Sequence, residues 1–437
     1  MKVIGIDIGT TTVSAVLTDD TGRVIDSRTR KNTGFLPAQY PWEKLQNPND
    51  LASLAQSLVL EFLAETPDVA GIGITGQQHG IVYVDKSGNA ISPLYTWQDG
   101  RGLQPLPDGS TACNRILEQT GFHVPAGYGL ATHLYNMVMG LVPENAYELC
   151  TIGDYVAMKL AGLHTPSTSP SHAHALGLYD LEANRFSTEA LEALGIDPDL
   201  LPSVDDNAVL TCRNDNIRIS RAIGDNQASF IGATAGKNRG VLLNVGTGSQ
   251  VSVFSPHPGT DDTLETRPFP GGGYLLVGAT LCGGRAYALL EQYFRQTVQL
   301  VTQKEVDCCY DAMAAILNQE KPEHIPEIQP FFAGTRKNPG QTAKITGLTE
   351  DNFTPRHMVW AMLQGMAQEL WDMYQSVSST EAVKQGFWGA GNGLRKNVWL
   401  CRILEEQFSA RLTLSESCEE ASRGAAIYIL NALKEVG

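Results

Sequence analysis

The chain has 437 residues, a formal net charge of −15, 42% hydrophobic and 18% charged residues. This length exceeds what one hydrophobic core usually serves, so two domains of roughly two hundred residues each are expected. Acidic balance with no basic run argues against a nucleic-acid partner, and no apolar run approaches the roughly eighteen residues of a membrane span. The N-terminus enters a strand at once, without the basic start and long apolar core of a signal peptide, so a soluble cytoplasmic protein is expected. The eight cysteines, Cys113, Cys150, Cys212, Cys282, Cys308, Cys309, Cys401 and Cys418, include no CxxC pair and no zinc-type spacing, which predicts free thiols in a reducing compartment.

Strand-like runs alternate with helical patterns from end to end, which indicates an α/β class. The opening stretch "VIGIDIGTTTVSAVLTD" (Val3 to Asp19) reads as two apolar strands around a polar hinge. Within it, Asp7 stands between Ile6 and Ile8, where a buried strand would normally carry an aliphatic side chain. "GIGITG" (Gly71 to Gly76) fits the dinucleotide pattern GxGxxG, but "GIVYVD" follows it as a strand where a Rossmann turn must open a helix. Between those runs lie Gln77, Gln78 and His79, and "SPLYTWQDGR" follows with Trp97, Gln98, Asp99 and Arg101. Amide, imidazole, carboxylate and guanidinium groups beside one indole suit a polyhydroxylated ligand, with hydrogen bonds for its hydroxyls and an aromatic face for its C–H side. A surface loop anchored by a buried Trp is the plainer alternative. His172 and His174 of "SHAHALG" lack a third donor nearby and are expected to be loop or strand residues rather than metal ligands.

Further along, "AIGDNQASFIGA" (Ala222 to Ala233) predicts a strand over 217–223 running through Gly224 into Asp225 and Asn226, where a helix begins. Asp225 is then either a helix N-cap or a base near a substrate hydroxyl. "GATAGKN" (Gly232 to Asn238) resembles a P-loop but is one residue short and has Asn after its lysine. Just past the midpoint, "GVLLNVGTGSQVSVFSP" (Gly240 to Pro256) repeats the design of the opening stretch, and aligning Gly9 with Gly246 sets Asp7 opposite Asn244. Two similarly built halves facing one another follow, divided as 1–216 and 217–437. Each Gly-Thr turn offers several backbone N–H groups in one direction, so two facing turns would grip a polyphosphate and Asp7 would hold its divalent cation. Two ordinary hairpins are the alternative. A third glycine-rich turn, "WGAGNGLRKN", leads into a helix with Asn392 and Asn397 near its start and would let a flat heterocycle approach the backbone.

In this order the stretches "GIDIGTTTVSAVL", "TGQQHG", "WQDGR", "TIGDYVAMKLAG", "IGDNQASFIGA", "NVGTGSQVSVF", "GAGNGLRKN" and "EEASRGAAIYIL" resemble the FGGY carbohydrate kinases over nearly the whole chain. The resemblance implies two actin-like (ribonuclease H-like) ATPase domains facing across a cleft, a sugar-binding first domain and an ATP-binding second one. It implies ATP-dependent phosphorylation of a ketose with Mg²⁺, a seven-carbon sugar ahead of a five-carbon one. Asp225 matches the catalytic base, and Asp7 and Asp225 the carboxylates near the metal. Gln78, His79, Trp97, Asp99, Arg101 and Asn226 match positions around the sugar. Thr11 and Thr12 fall in the first phosphate turn, Gly246, Thr247 and Gly248 in the second, and Gly284, Gly391 and Asn392 in stretches lining the adenosine. Gln78 and Gln98 depart from members with Met and Asn there, which leaves the reaction alone but bears on which sugar fits. The expected partners are a small-molecule sugar and ATP, with no nucleic acid and no membrane, and a homodimer as a compatible assembly. From other classes, an actin-like ATPase driving a conformational change and a non-catalytic sugar-binding regulator remain as alternatives; the sugar-type cluster weighs against the first, and retention of both Asp7 and Asp225 against the second.

Overall fold

The computed structural model describes residues 1–210, 217–260, 264–335, 338, 340–377, 382–417 and 419–436. Two compact units emerge: Met1–Lys237 with Pro268–Gly273 and Glu419–Gly437, and Asn238–Arg267 with Tyr274–Cys418. The first unit thus runs past residue 216, keeping with it the strand and helix that carry Asp225. No helix among the described residues is long and apolar enough to cross a membrane. Cys113, Cys150, Cys282, Cys308, Cys309 and Cys401 are free thiols, while Cys212 and Cys418 lie outside the described residues.

The first unit is built on β1 (Lys2–Ile8), β2 (Thr12–Thr18), β3 (Val24–Lys31), β4 (Val69–Gly76) and β5 (Arg218–Gly224), in spatial order β5-β4-β1-β2-β3. The first three strands are antiparallel neighbours, while β4 runs parallel to β1 and β5 parallel to β4. Successive side chains on a strand point to opposite faces. Ile4, Ile6 and Ile8 therefore enter the main core with Leu51, Leu58 and Phe62 of α1 (Pro48–Glu65) and with Tyr155 and Val156 of α2 (Ile152–Leu160). Thr151 caps α2 in a reciprocal box with Asp154. The SHAHALG stretch forms neither loop nor strand but a two-turn helix, α3 (Pro170–Leu176), opened by a proline whose missing N–H is not needed in a first turn. The strand β5 passes through Gly224 into α4 (Asp225–Ala233). "GIGITG" lies wholly inside β4, and "GATAGKN" carries the last residues of α4 and its C-cap, Thr234.

The second unit repeats the plan with β6 (Val241–Val245), β7 (Ser249–Ser255), β8 (Glu265–Pro268), β9 (Tyr274–Thr280), β10 (Phe387–Ala390) and β11 (Thr413–Leu414), in spatial order β8-β9-β7-β6-β10-β11. Again three consecutive neighbours, β9, β7 and β6, are antiparallel, and β10 and β11 continue the sheet in parallel. Beside this sheet lie α5 (Gly284–Thr302), α6 (Pro355–Gln375), α7 (Asn392–Arg395) and α8 (Val398–Phe408). Leu243, Val251, Leu363, Leu370, Leu404 and Phe408 belong to its one large core. The third glycine-rich turn opens the single-turn helix α7, and Asn397 caps a second helix, α8, through its bond from the Leu400 amide.

The last helix, α9 (Glu420–Val436), belongs to the first unit and covers the sheet face opposite the main core. Ala426, Ile429 and Leu430 pack there on Val3 and Val16. The fit depends on glycine: a Cβ added at Gly73 would lie 1.8 Å from the Ala425 carbonyl oxygen. The alternate glycines of "GIGITG" thus serve close helix–sheet packing.

Candidate active site

On β1 the residues Val3, Gly5 and Asp7 share the face covered by α9, so Asp7 emerges where that cover ends, close to Glu419. Burial, then the charge of Asp225, then that of Glu419, pushes its carboxyl up to about 7. No hydrogen bond or cation from the described residues offsets that repulsion. A carboxylate so placed fits a hard divalent ion. Among the described residues no cluster of three or more His, Cys, Asp or Glu side chains could hold a metal ion.

Asp225 is the first residue of α4 while Gly224 occupies the cap position, so the N-cap alternative does not describe it. Its Oδ1 accepts from the Asn226 amide (2.7 Å) and from Asn226 Nδ2 (2.9 Å). The strand end that presents it is held by three hydroxyls. Thr75 Oγ1 donates to the Ile223 carbonyl (2.7 Å), Ser169 Oγ donates to the Ala222 carbonyl (2.8 Å), and Ser171 Oγ accepts from the Gly224 amide (3.2 Å). A half-buried carboxylate on a braced strand-to-helix turn can accept a proton without losing its place.

Around the same strand ends lies the amide and aromatic cluster. Trp97 is 46% exposed, and its indole N–H donates to Thr10 Oγ1 (3.0 Å). The Thr10 carbonyl in turn accepts from Asn32 Nδ2 and Gln46 Nε2, both at 2.9 Å. Gln77 Nε2 donates to Gln46 Oε1 (3.0 Å), so the Gly9–Thr11 turn sits in a frame of side chains. His79 adopts φ +74°, donates from Nδ1 to the Ala175 carbonyl (2.8 Å) and stacks on Tyr128 at 4.0 Å. That bond fixes the proton on Nδ1 of the neutral ring and turns Nε2 into an acceptor. Asp99 and Arg101 are buried and bind each other through Nε–Oδ1 (2.7 Å) and Nη2–Oδ2 (3.2 Å). Arg101 also donates to Asn136 Oδ1 (2.7 Å) and lies 4.0 Å over the Tyr95 ring. Of this cluster, then, Trp97 and His79 line the surface while Asp99 and Arg101 tie the loop beneath it.

In the second unit three glycine-rich segments meet at the ends of β6, β9 and β10. The Gly284 amide donates to the Gly246 carbonyl (2.9 Å) and the Arg285 amide to the Thr247 carbonyl (3.1 Å), so the start of α5 holds the Gly246–Gly248 turn. Gly391 has φ +88°, and a Cβ on it would stand 2.4 Å from the Val245 carbonyl oxygen. Gly246 and Thr247 are exposed and Gly284 and Gly391 partly so, while Asn392 is exposed at the first position of α7. Such a surface, bare of side chains, admits a flat heterocycle and offers backbone N–H groups to phosphates.

The structure brings Asp7 and Asp225 within electrostatic reach of each other in one unit, and Gly246, Thr247, Gly248, Gly284 and Gly391 together in the other. Thr11 is exposed and Thr12 already begins β2. The hydroxyl that the first turn uses is that of Thr10, which the sequence did not single out, any more than it did Asn32, Gln46 or Tyr128. A run of three threonines carried no signal as to which one faces inward; the partners were too distant in sequence to be seen.

Residues 2–242 match the family model described as the FGGY family of carbohydrate kinases, N-terminal domain. The chain is 28% identical to sedoheptulokinase of Homo sapiens, covering 98% of this chain and 97% of that protein. It is 23% identical to xylulose kinase of Staphylococcus xylosus, covering 97% and 89%. Among solved structures, a xylulose kinase from Brucella ovis is similar at a TM-score of 0.83 and 17% identity, covering 100% of this chain and 91% of that one. Glycerol kinase of Plasmodium falciparum with ADP is similar at 0.78 and 18%, covering 100% and 92%. These likenesses establish the actin-like α/β fold.

Proposed function

The chain belongs to the FGGY family of carbohydrate kinases, and from that premise we propose that it transfers the γ-phosphoryl group of ATP to the terminal hydroxyl of a ketose, sedoheptulose first and xylulose second. The observation that carries the reading is the pair of carboxylates Asp7 and Asp225, within electrostatic reach of each other beside a cluster suited to hydroxyls, all within one unit. The full-length similarity to sedoheptulokinase supports the choice of sugar.

In this reading Asp225 accepts the proton of the attacking hydroxyl, held in place by the hydroxyl-braced turn. Trp97 covers the C–H side of the sugar, and Gln78, His79 and Asn226 bond its hydroxyls, while Asp99 and Arg101 keep the loop in shape. Asp7 holds Mg²⁺, which supplies charge neutralisation for phosphates in a transfer that depends on positioning and electrostatics. The Gly9–Thr12 and Gly246–Gly248 turns donate backbone N–H groups to phosphate oxygens, and the surface at Gly284, Gly391 and Asn392 receives the adenosine.

The test is ADP release by the purified protein with Mg·ATP over sedoheptulose, xylulose, ribulose, fructose and glycerol, with a no-sugar control. Stimulation by sedoheptulose alone supports the whole reading, and stimulation by another sugar keeps the mechanism and reassigns the substrate. Release that no sugar changes overturns it in favour of an actin-like ATPase, and no release at all in favour of a binding protein.

A further inference from the structure

The last residues of β5 reach Asp225 with an interrupted ladder behind them. β5 is the end strand of its sheet, and between Ile219 and Ala222 its register against β4 slips, where Ser220 Oγ accepts from the Ile74 amide (2.9 Å). An end strand also carries an outer row of N–H and C=O groups that no ladder satisfies. At Ala222 and Gly224 two buried serines of one short segment satisfy them. Ser169 Oγ lies 2.8 Å from the Ala222 carbonyl oxygen and 2.9 Å from Ser171 Oγ, which accepts from the Gly224 amide at 3.2 Å. A carbonyl only accepts, so the one Ser169 proton is committed to Ala222, and Ser171 must donate to Ser169. The run from the Gly224 N–H through Ser171 and Ser169 to the Ala222 carbonyl therefore has a single direction. The helix that carries Ser171, α3, is held in turn. Fully buried His172 sets Nδ1 2.8 Å from the Oγ1 of Thr151, the cap of α2, and near the other end the Ala175 carbonyl accepts from His79.

We propose that Ser171 is a positioning residue for the base: with Ser169 it forms a two-hydroxyl clamp that stands in for a missing strand on the outer edge of β5 and sets the direction in which Asp225 leaves the sheet. This rests on the kinase reading, in which Asp225 takes the proton of the attacking hydroxyl. Thr75 holds the Ile223 carbonyl from the β4 side, so the three residues before Asp225 are gripped on both edges. Opening one grip leaves the carboxylate in place but turns it from its line of approach, which costs rate and spares binding.

The experiment compares Ser171→Ala, Ser169→Ala and the double variant, each also combined with Asp225→Asn, reading kcat and KM for the preferred ketose with thermal melting as a fold control. Ser171→Ala is expected to lower kcat about tenfold while KM for ketose and ATP stays within about twofold. The double variant should be no slower than the slower single one, since either deletion opens the clamp. In the Asp225→Asn background the same change should cost less than about twofold, because the group it places is no longer a base. An unchanged kcat, a loss carried by KM instead, or an equal loss in both backgrounds overturns the proposal. A second readout does not depend on turnover: hydrogen exchange of the Gly224 amide, followed by NMR, should be slow in the parent and at least about tenfold faster in Ser171→Ala. Fast exchange in the parent removes the clamp whatever the activity. Slow exchange in a parent that phosphorylates no ketose keeps the clamp, but the kinase reading falls and the positioning role with it.

Discussion

The two hairpin turns of this protein share a plan and differ in what holds them. Both close an antiparallel pair whose first strand continues into a parallel neighbour, and both place a polar residue one short of the strand end, Asp7 in one and Asn244 in the other. The first turn has Ile8 facing Val13 across four residues; the second has Val245 facing Ser249 across three. Side chains brace the first, through Asn32, Gln46, Gln77 and Trp97. Backbone braces the second, through the Gly284 and Arg285 amides. One repeat has thus become a place where charged and hydroxylic groups are aimed, and the other a bare surface. The same topology carries a turn braced by side chains in one unit and a turn braced by backbone in the other.

The largest effect should come from the strand-to-helix turn that carries Asp225, in the same unit as the first hairpin. Asp225→Asn keeps the size of the side chain and removes the base, so kcat should fall about 10²- to 10⁴-fold. Nucleotide affinity should persist, since the glycine surface lies in the other unit, and calorimetric titration checks this. A matching loss of melting temperature would turn the residue into a structural one and break the comparison.

The bare turn should answer to substitution by bulk. Gly391→Ala puts a Cβ into the Val245 carbonyl at a left-handed backbone position, a strain of about 1–3 kcal/mol. It should weaken nucleotide binding by tens-fold and lower the melting temperature together. At Gly246 an added Cβ meets only the Gly248 carbonyl oxygen, at 3.9 Å, so Gly246→Ala should melt like the parent. If it still weakens ATP, the phosphates pass close to this turn; unchanged affinity would remove Gly246 from the site.

Much of this division was visible in the chain. Alternating elements, the repeated Gly-Thr hairpin and Asp7 among isoleucines are local patterns, and locality is what a sequence displays. The sites of Asp225 and of the glycine turns followed from them. What the sequence hid were contacts between distant segments: the return of 419–437 to the first sheet, Pro268 against Gln227, and Thr10 rather than Thr11 as the wired hydroxyl. "SHAHALG" misled because seven residues with two histidines carry no periodicity strong enough to reveal a short helix fixed by its neighbours.

A subtler contrast separates Asp7 from Asn244 by pH. With its carboxyl pushed up to about 7 against an ordinary 3.8, Asp7 binds a proton in the folded chain over a range where the unfolded chain has lost it. Folding stability must then fall as pH rises from about 4 to about 7. Without metal or nucleotide, Asp7→Asn should melt with the parent at pH 4 and above it at pH 8; the same melting gap at both values would remove this account. On the metal role proposed for Asp7, Mg·nucleotide needs the ionised form, so its affinity for the parent should weaken below pH 7.

The smallest effect bears most directly on how the two turns are braced. Thr10 Oγ1 accepts from the Trp97 indole and donates to Gln77 Oε1 at 3.4 Å. Thr247, its counterpart, makes no side-chain hydrogen bond among the described residues and contributes only its carbonyl, to the Arg285 amide. Valine matches threonine in shape and removes the hydroxyl. Thr10→Val should therefore cost about 0.5–1.5 kcal/mol in denaturant unfolding. It should also free the Trp97 ring, raising KM for the sugar by no more than about tenfold. Thr247→Val should leave stability within about 0.5 kcal/mol of the parent, as an exposed change away from any network does. Equal costs in the two variants would mean that the second turn is also held by its side chain, and the contrast between a braced turn and a bare one would go.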